Sequence, residues 1–553
     1  MLTREAAHIA DCLECRRLGV RRNAFQRRPL VRQRRLERFG EIGHHDSVPR
    51  RHATIGTGPL LQQRIRQRHV SHSSRAPAAH HARVHGFSGG VAHELAVANS
   101  GTIRLHVSAP AALRRHLSRR DLIVYGLLFI GPLAPVGVFG VLDARTDGAV
   151  AMVYVLATVA MAFTAWSYAE MSRVVPRAGS VFAYASQGIG PRAGFFAGWL
   201  VMLDYLLIPS VAYLFSGIAL HALVPAVPAW VFTVVAFALT TALNRAGVAV
   251  AAKAGTIVLA AEVAVLALFV VAALVVLAHD GPSRPWLTPL TGITHFQLST
   301  VIGAVSIAVL SFLGFDAIAS FAEESAGDVR HVGTAIGACL VAAGVLFVLQ
   351  TWLGALVSPL DPRDLAAHPE RQGTAFYDAA RLAMGPWMST VLAITKAVGP
   401  AFAAMTAQAA AARLLFSMAR DGRLPRALAT VDAAHGVPTA ALTTAAALTL
   451  AVSAWAAQRD DGLDILVSIV DIGALSAFAL LHASVVGYFV IGRRPEARLA
   501  HRLVPLFGLA TTVWVIAETG LLAKIVAGVW LAAGGLALWL QRAAPASTGP
   551  PAH

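Results

Sequence analysis

From Leu122 onward, apolar runs of about 17–28 residues alternate with short polar loops. The runs cover 122–142, 148–171, 194–220, 228–244, 254–278, 298–322, 333–357, 389–417, 438–457, 463–490, 502–522 and 524–541. At about 1.5 Å per residue, each is long enough to cross a hydrocarbon core of about 30 Å. The pattern predicts an all-α polytopic membrane protein with twelve transmembrane helices. Two runs are interrupted. The first reads Ile130-Gly-Pro-Leu-Ala-Pro-Val-Gly-Val-Phe-Gly140. Proline removes a backbone donor and clashes with the preceding turn, so the helix must kink or unwind there. The sixth run carries Gly314-Phe-Asp where a spanning helix should still be apolar. Paired interruptions at corresponding positions of two halves point to a central binding site.

Composition agrees: 56% of the 553 residues are hydrophobic, with a mean hydropathy of +0.61. Residues 1–120 hold 23 Arg and 7 acidic residues, which accounts for the whole net charge of +16. Residues 1–117 are therefore expected as a basic, Arg/His-rich disordered tail, followed by a permease domain over 118–541 and a short cytoplasmic tail at 542–553. Val107, ahead of Ser-Ala-Pro, would suit an alternative start that leaves residues 1–106 out of the mature protein. The tail has few aromatics and no recognition motif, so no nucleic-acid partner is expected. Cys12 and Cys15 form a lone CxxC without a second pair, read as accidental spacing. If the N-terminus is cytoplasmic, the inner loops hold thirteen basic residues and the outer loops seven, from Arg145 to Lys524. Both termini inside is the better orientation. The charge-balanced loop 358–388 reads as a solvated external loop, and 172–193 as a short interfacial helix and turn.

Ionisable residues inside the spans are the candidate chemistry. Asp204 lies in the third, Glu262 in the fifth, Asp316 in the sixth, Lys396 in the eighth and Asp471 in the tenth. Intramembrane charges are costly and mark pathways or relays. Desolvation disfavours a buried carboxylate's charged form, which makes each acid a candidate proton carrier. Pairing between helices is the alternative, with Lys396 and Asp471 as a candidate charge pair. His482 reads as a packed or interfacial histidine. There is no Walker loop, no GxGxxG after a strand and no HExxH, so neither an enzyme nor a cofactor or metal is expected.

Four motifs carry a family resemblance over about 118–541. They are Pro176-Arg-Ala-Gly-Ser-Val-Phe-Ala-Tyr184 with Gly190 and Gly198-Trp199, and Asn244-Arg-Ala-Gly-Val248 with Lys253. The others are Phe312-Leu-Gly-Phe-Asp-Ala317 with Ala322-Glu-Glu324, and Arg413-Leu-Leu-Phe-Ser-Met-Ala-Arg-Asp-Gly-Arg-Leu-Pro425. The chain resembles bacterial amino acid–polyamine–organocation permeases. The resemblance implies the LeuT-type fold: a 5+5 inverted repeat with helices one and six broken, plus two extra helices. It implies substrate between Ala134, Pro135, Val136 and Gly137 of helix one and Gly314, Phe315, Asp316 and Ala317 of helix six, with Phe312 adjacent. Helices three, eight and ten complete that site, and Glu262 falls where some relatives handle a proton. Many amino acid permeases carry Gly-Ser-Gly where this chain has Pro135-Val-Gly137, and Pro135 has no N–H for a substrate carboxylate. Met202-Leu-Asp-Tyr-Leu-Leu-Ile-Pro209 is closer to putrescine importers, with Asp204 and Tyr205 placed to hold an amino group.

The expected function is secondary active import of an amino acid or related amine, such as putrescine. Transport would cross the inner membrane by proton symport and alternating access. The expected partners are this small-molecule substrate, the coupling proton and the lipid bilayer. An obligate exchanger is the alternative, and a receptor without transport the less favoured one.

Overall fold

The computed structural model describes residues 117–543 apart from 295, 329, 433–434 and 460–461. It also describes Leu113, Arg115 and three short strands. These strands, His81–Ala82, His93–Val97 and Ile103–Val107, form one antiparallel sheet within the stretch expected as a tail. The remainder of 1–117, with Cys12 and Cys15, lies outside the described residues, as does 544–553.

Eleven helices among the described residues are long and apolar enough to cross a membrane. A further apolar helix, Ala229–Arg245, has 17 residues. The first span runs Arg119–Ile130 and resumes at Phe139–Arg145. Its start is fixed by a capping box: the Ser118 hydroxyl accepts from the Asp121 N–H, and the Asp121 carboxylate accepts from the Ser118 N–H. The second is Val150–Val174, the third Pro191–Leu223 and the fifth Val248–His279. The sixth is Leu298–Leu310 followed by a 3₁₀ stretch, Phe315–Glu324. Arg330–Val357, Pro386–Arg420, Thr439–Ala456 and Gly462–Val485 are the seventh to tenth. Proline opens the third and eighth spans, where the missing N–H has no intrahelical partner to lose. The tenth ends in a π-turn, Val486–Ile491. Ala500–Glu518 and Leu521–Ala543 complete the set, separated only at Thr519–Gly520.

The third span is the hub, packed chiefly against the eighth and tenth, while the second packs against the seventh. The fifth span is the most apolar of the candidate membrane helices, yet only 28% of its apolar window is buried. Exposed Ile257, Val271 and Leu274 give it a lipid-facing side. The last span is docked on the third by a reciprocal pair. Trp199 Nε1 donates to the Trp530 carbonyl at 2.7 Å, and Trp530 Nε1 to that of Trp199 at 2.6 Å.

Two loop expectations change. The helix within 172–193, Val181–Gly188, is buried through Val181–Ala185 rather than lying at an interface. Its apolar face packs into the bundle, and Gly188 lies directly against the Ser484 backbone of the tenth span. The loop 358–388 is exposed at its charges but folds into helices Pro362–Ala367 and Ala375–Met384. Phe376 from the latter is buried against Phe139 and Phe269, with ring centroids 5.2 and 5.1 Å away. His482 is a packed histidine, with Nδ1 at 3.0 Å from Ser167 Oγ and Nε2 at 3.3 Å from Thr164 Oγ1.

Candidate functional site

Both interrupted spans break as the glycine and proline positions dictate. In the first, Gly131 takes φ +74° and ends the helix. Leu133 follows, and Ala134–Gly137 forms a single 3₁₀ turn. The break frees carbonyls that a continuous helix would satisfy. Two are recaptured: Gln350 Nε2 of the seventh span donates to Pro132 O at 2.9 Å, and Lys396 Nζ of the eighth to Leu133 O at 3.2 Å. A Cβ added at Gly131 or Gly137 would meet nothing within 4 Å, so this backbone borders open space. Pro135 and Val136 are buried, while Ala134 and Gly137 are half-buried.

In the sixth span the turn comes at Gly314, φ +120°. A side chain there would collide with Phe129 of the first span, 2.2 Å from an added Cβ. The two breaks therefore touch at a point where only glycine fits. Phe312 packs against Tyr154 and Phe347. Phe315 packs on Tyr168 and Phe478, and Ala317 is buried.

Asp316 is fully buried and already bonded. Its Oδ2 accepts from Tyr205 Oη at 2.7 Å and from Tyr168 Oη at 3.4 Å, and its Oδ1 accepts from the Gly314 N–H at 3.2 Å. Ser180 Oγ lies 3.3 Å from Tyr205 Oη. The second, third and sixth spans are thus tied together by one carboxylate. Tyr205, expected to face an amino group, gives its hydroxyl to Asp316.

Asp204 is also fully buried, but neither carboxylate oxygen has a hydrogen-bond partner. It lies within electrostatic reach of Asp316 and of Asp471. Asp471 Oδ1 is buried and unpartnered as well. Gly473 permits this approach, since a Cβ there would lie 3.2 Å from the Asp204 nitrogen and 2.6 Å from Leu203 Cβ.

Lys396 and Asp471 are not paired. Lys396 interacts electrostatically with Glu262, while Asp471 has neighbours on the third span. Glu262 is 3% exposed and presses on Gly399, where an added Cβ would meet Oε1 at 2.0 Å. The rotation of the eighth helix decides this: Lys396 and Gly399, three residues apart, share the face towards the fifth span. The sequence reading missed Tyr168, Gln350 and Gly399. A lone glutamine in the apolar run 333–357 was a signal for Gln350; nothing local marks the other two.

Ion pairs lie at both ends of the broken first span. At one end Arg413 makes a bidentate pair with Glu324, Nη2 to Oε2 at 2.9 Å, with its guanidinium 4.3 Å from the Phe321 centroid. Arg420 pairs with Glu323 beside it. The Glu324 carbonyl accepts from the Leu117 N–H, at the start of the first span. At the far end of that span, Arg284 makes two 2.8 Å bonds to Asp143 and one of 2.6 Å to Leu360 O.

The amino-acid sequence is matched by known proteins. The family described as amino acid permease matches residues 122–542. The chain belongs to that family. It is a multi-pass membrane transporter of the amino acid–polyamine–organocation type, not an enzyme. The chain is 29% identical over 442 residues to the low-affinity putrescine importer PlaP of Escherichia coli (strain K12), covering 76% of this chain and 92% of that protein. It is 25% identical over 456 residues to the branched-chain amino acid permease BcaP of Bacillus subtilis (strain 168), covering 77% and 93%. A methylthioribose transporter of the same organism is 24% identical over 462 residues, covering 78% and 94%. The permease thus has full-length relatives whose named substrates differ widely.

Proposed function

We propose that this permease imports an amino acid or related amine across the inner membrane by proton symport, with both termini cytoplasmic. Its twelve crossings form a LeuT-type 5+5 inverted repeat with two added helices, and it works by alternating access. The observation that carries this reading is the meeting of two broken helices, five spans apart, at Gly314 and Phe129 beside open backbone at Gly131 and Gly137. The packing of span two on seven and three on eight supports the repeat, because each pair is again five spans apart. Substrate contacts the backbone around Ala134–Gly137 and Gly314–Ala317, bounded by the third and tenth spans. Glu262 carries the coupling proton, and Lys396 senses it: gain or loss of that proton changes how tightly the ammonium is held at Leu133 O, in the break itself. The named substrates of the relatives, from putrescine to branched-chain amino acids, support the amino acid or amine class.

Uptake into proteoliposomes with an imposed inward proton gradient tests this, with labelled putrescine and a mixture of labelled amino acids. Gradient-driven accumulation of either is expected. Uptake only into vesicles preloaded with substrate would replace symport by exchange, and no uptake of either would sink the reading.

A further inference from the structure

The three central carboxylates differ in what already occupies them. Asp316 accepts from two tyrosines and a backbone amide. Asp204 accepts from nothing, with both oxygens buried, and Asp471 has one oxygen buried and unpartnered. A buried charge without hydrogen bonds is retained at high cost, because desolvation is uncompensated. The ammonium of Lys396 donates to Leu133 O and lies within electrostatic reach of Glu262, and no ion pair joins it to Asp204 or Asp471. An incoming organic cation would supply what Asp204 and Asp471 lack: positive charge and several N–H donors at once.

Several of the groups that a substrate carboxylate would need are meanwhile taken. Pro135 has no N–H. The N–H groups of Ala134, Val136 and Val138 donate within the 3₁₀ turn, to Gly131, Leu133 and Pro135 carbonyls at 2.8, 3.1 and 3.1 Å. The Gly314 N–H is held by Asp316. An amino acid would bring a carboxylate with few free donors to meet it. An alkylamine brings none.

We propose that Asp204 of the third span and Asp471 of the tenth form an ammonium-binding subsite, and that the transported substrate is an alkyl diamine rather than a zwitterionic amino acid. Asp316 is then a positioning residue that holds Tyr205 and Tyr168 beside the subsite. This rests on the transport reading above and names the substrate class of that site.

The test is equilibrium binding of labelled putrescine to purified permease in detergent, with no gradient. Cadaverine, butylamine and leucine serve as competitors. Saturable putrescine binding is expected, displaced by cadaverine at similar concentration, more weakly by butylamine and not by leucine. Asp204→Asn and Asp471→Asn should each weaken putrescine binding at least tenfold, and Asp204→Glu should retain part of it. The same variants separate a ligand role from a structural one. Without ligand, Asp204→Asn should melt at or above the wild-type temperature, because it removes an unpaired buried charge, and should lose the putrescine-induced rise. A lowered melting temperature with wild-type affinity in the folded fraction would overturn the subsite. So would unchanged affinity in both asparagine variants, or binding of leucine alone. Asp-dependent putrescine binding without uptake into vesicles would keep the subsite and remove the transport reading. Uptake of amino acids unaffected by the two substitutions would do the reverse.

Discussion

Asp316 and Glu262 are both buried acids, but their surroundings differ. Asp316 spends its acceptors on Tyr205, Tyr168 and the Gly314 amide. Asparagine keeps one acceptor oxygen and turns the other into a donor facing a hydroxyl or an amide. Losing a hydrogen bond to a charged group costs about 1.5–3 kcal/mol. Asp316→Asn is therefore expected to lower the melting temperature of the purified permease and to cut uptake at least tenfold. A wild-type melting temperature would remove the positioning role. Glu262→Gln preserves the fit against Gly399 but cannot carry a proton. It should abolish accumulation driven by a pH gradient while counterflow between preloaded vesicles and medium continues. Loss of both in a folded variant would mean that Glu262 supports structure. Charges in apolar runs made these residues visible in the sequence. Which charge faces which was not legible, because helix rotation is set by packing against neighbours and by small residues such as Gly399 and Gly473. Hence Lys396 lies within electrostatic reach of Glu262 rather than pairing with Asp471.

At the scale of elements, the two breaks depend on glycine for different reasons. Gly314 has φ +120° and no room for a Cβ beside Phe129. Backbone strain of about 1–3 kcal/mol and overpacking of a similar size add there. Gly314→Ala should sharply reduce the yield and thermal stability of solubilised protein. Gly137→Ala adds a methyl to open space at a negative φ. It should leave the melting temperature within about 2 °C of wild type, while slowing uptake. If the two variants behaved alike in the melt, open space at Gly137 would not be the difference between the breaks. Span positions were readable to within a few residues, because apolar length is imposed by the bilayer. The partners of connecting segments were not. The buried helix Val181–Gly188 and the ring of Phe376 take their places from tertiary contacts that no local pattern encodes.

For the whole molecule, the proposed alternating-access cycle would need the centre closed at one end while open at the other, so contacts at the two ends would have to break in turn. Arg413–Glu324 lies at the end where the first span begins, and Arg284–Asp143 where that span finishes. The second pair joins the second half of the broken first span to the segment before the sixth and, through Leu360, to the loop before the eighth. Three segments of the chain meet in one guanidinium. Arg284→Met would leave Asp143 buried without its partner, a loss of about 3–5 kcal/mol. That loss falls only on conformations in which the pair is buried, so the population should shift towards the state open at that face. A Gly137→Cys thiol, in a background with Cys12 and Cys15 changed to serine, reports the shift. Cys339 is buried and should stay silent. In intact cells a membrane-impermeant thiol reagent should label the Gly137→Cys thiol several-fold faster when Arg284→Met is also present. Net uptake should fall, because the return to the sealed state is now uphill. Equal labelling rates at normal expression would mean that Arg284 only braces the loops. Slower labelling would place the Arg284 end on the cytoplasmic side and reverse the orientation inferred from the basic loops.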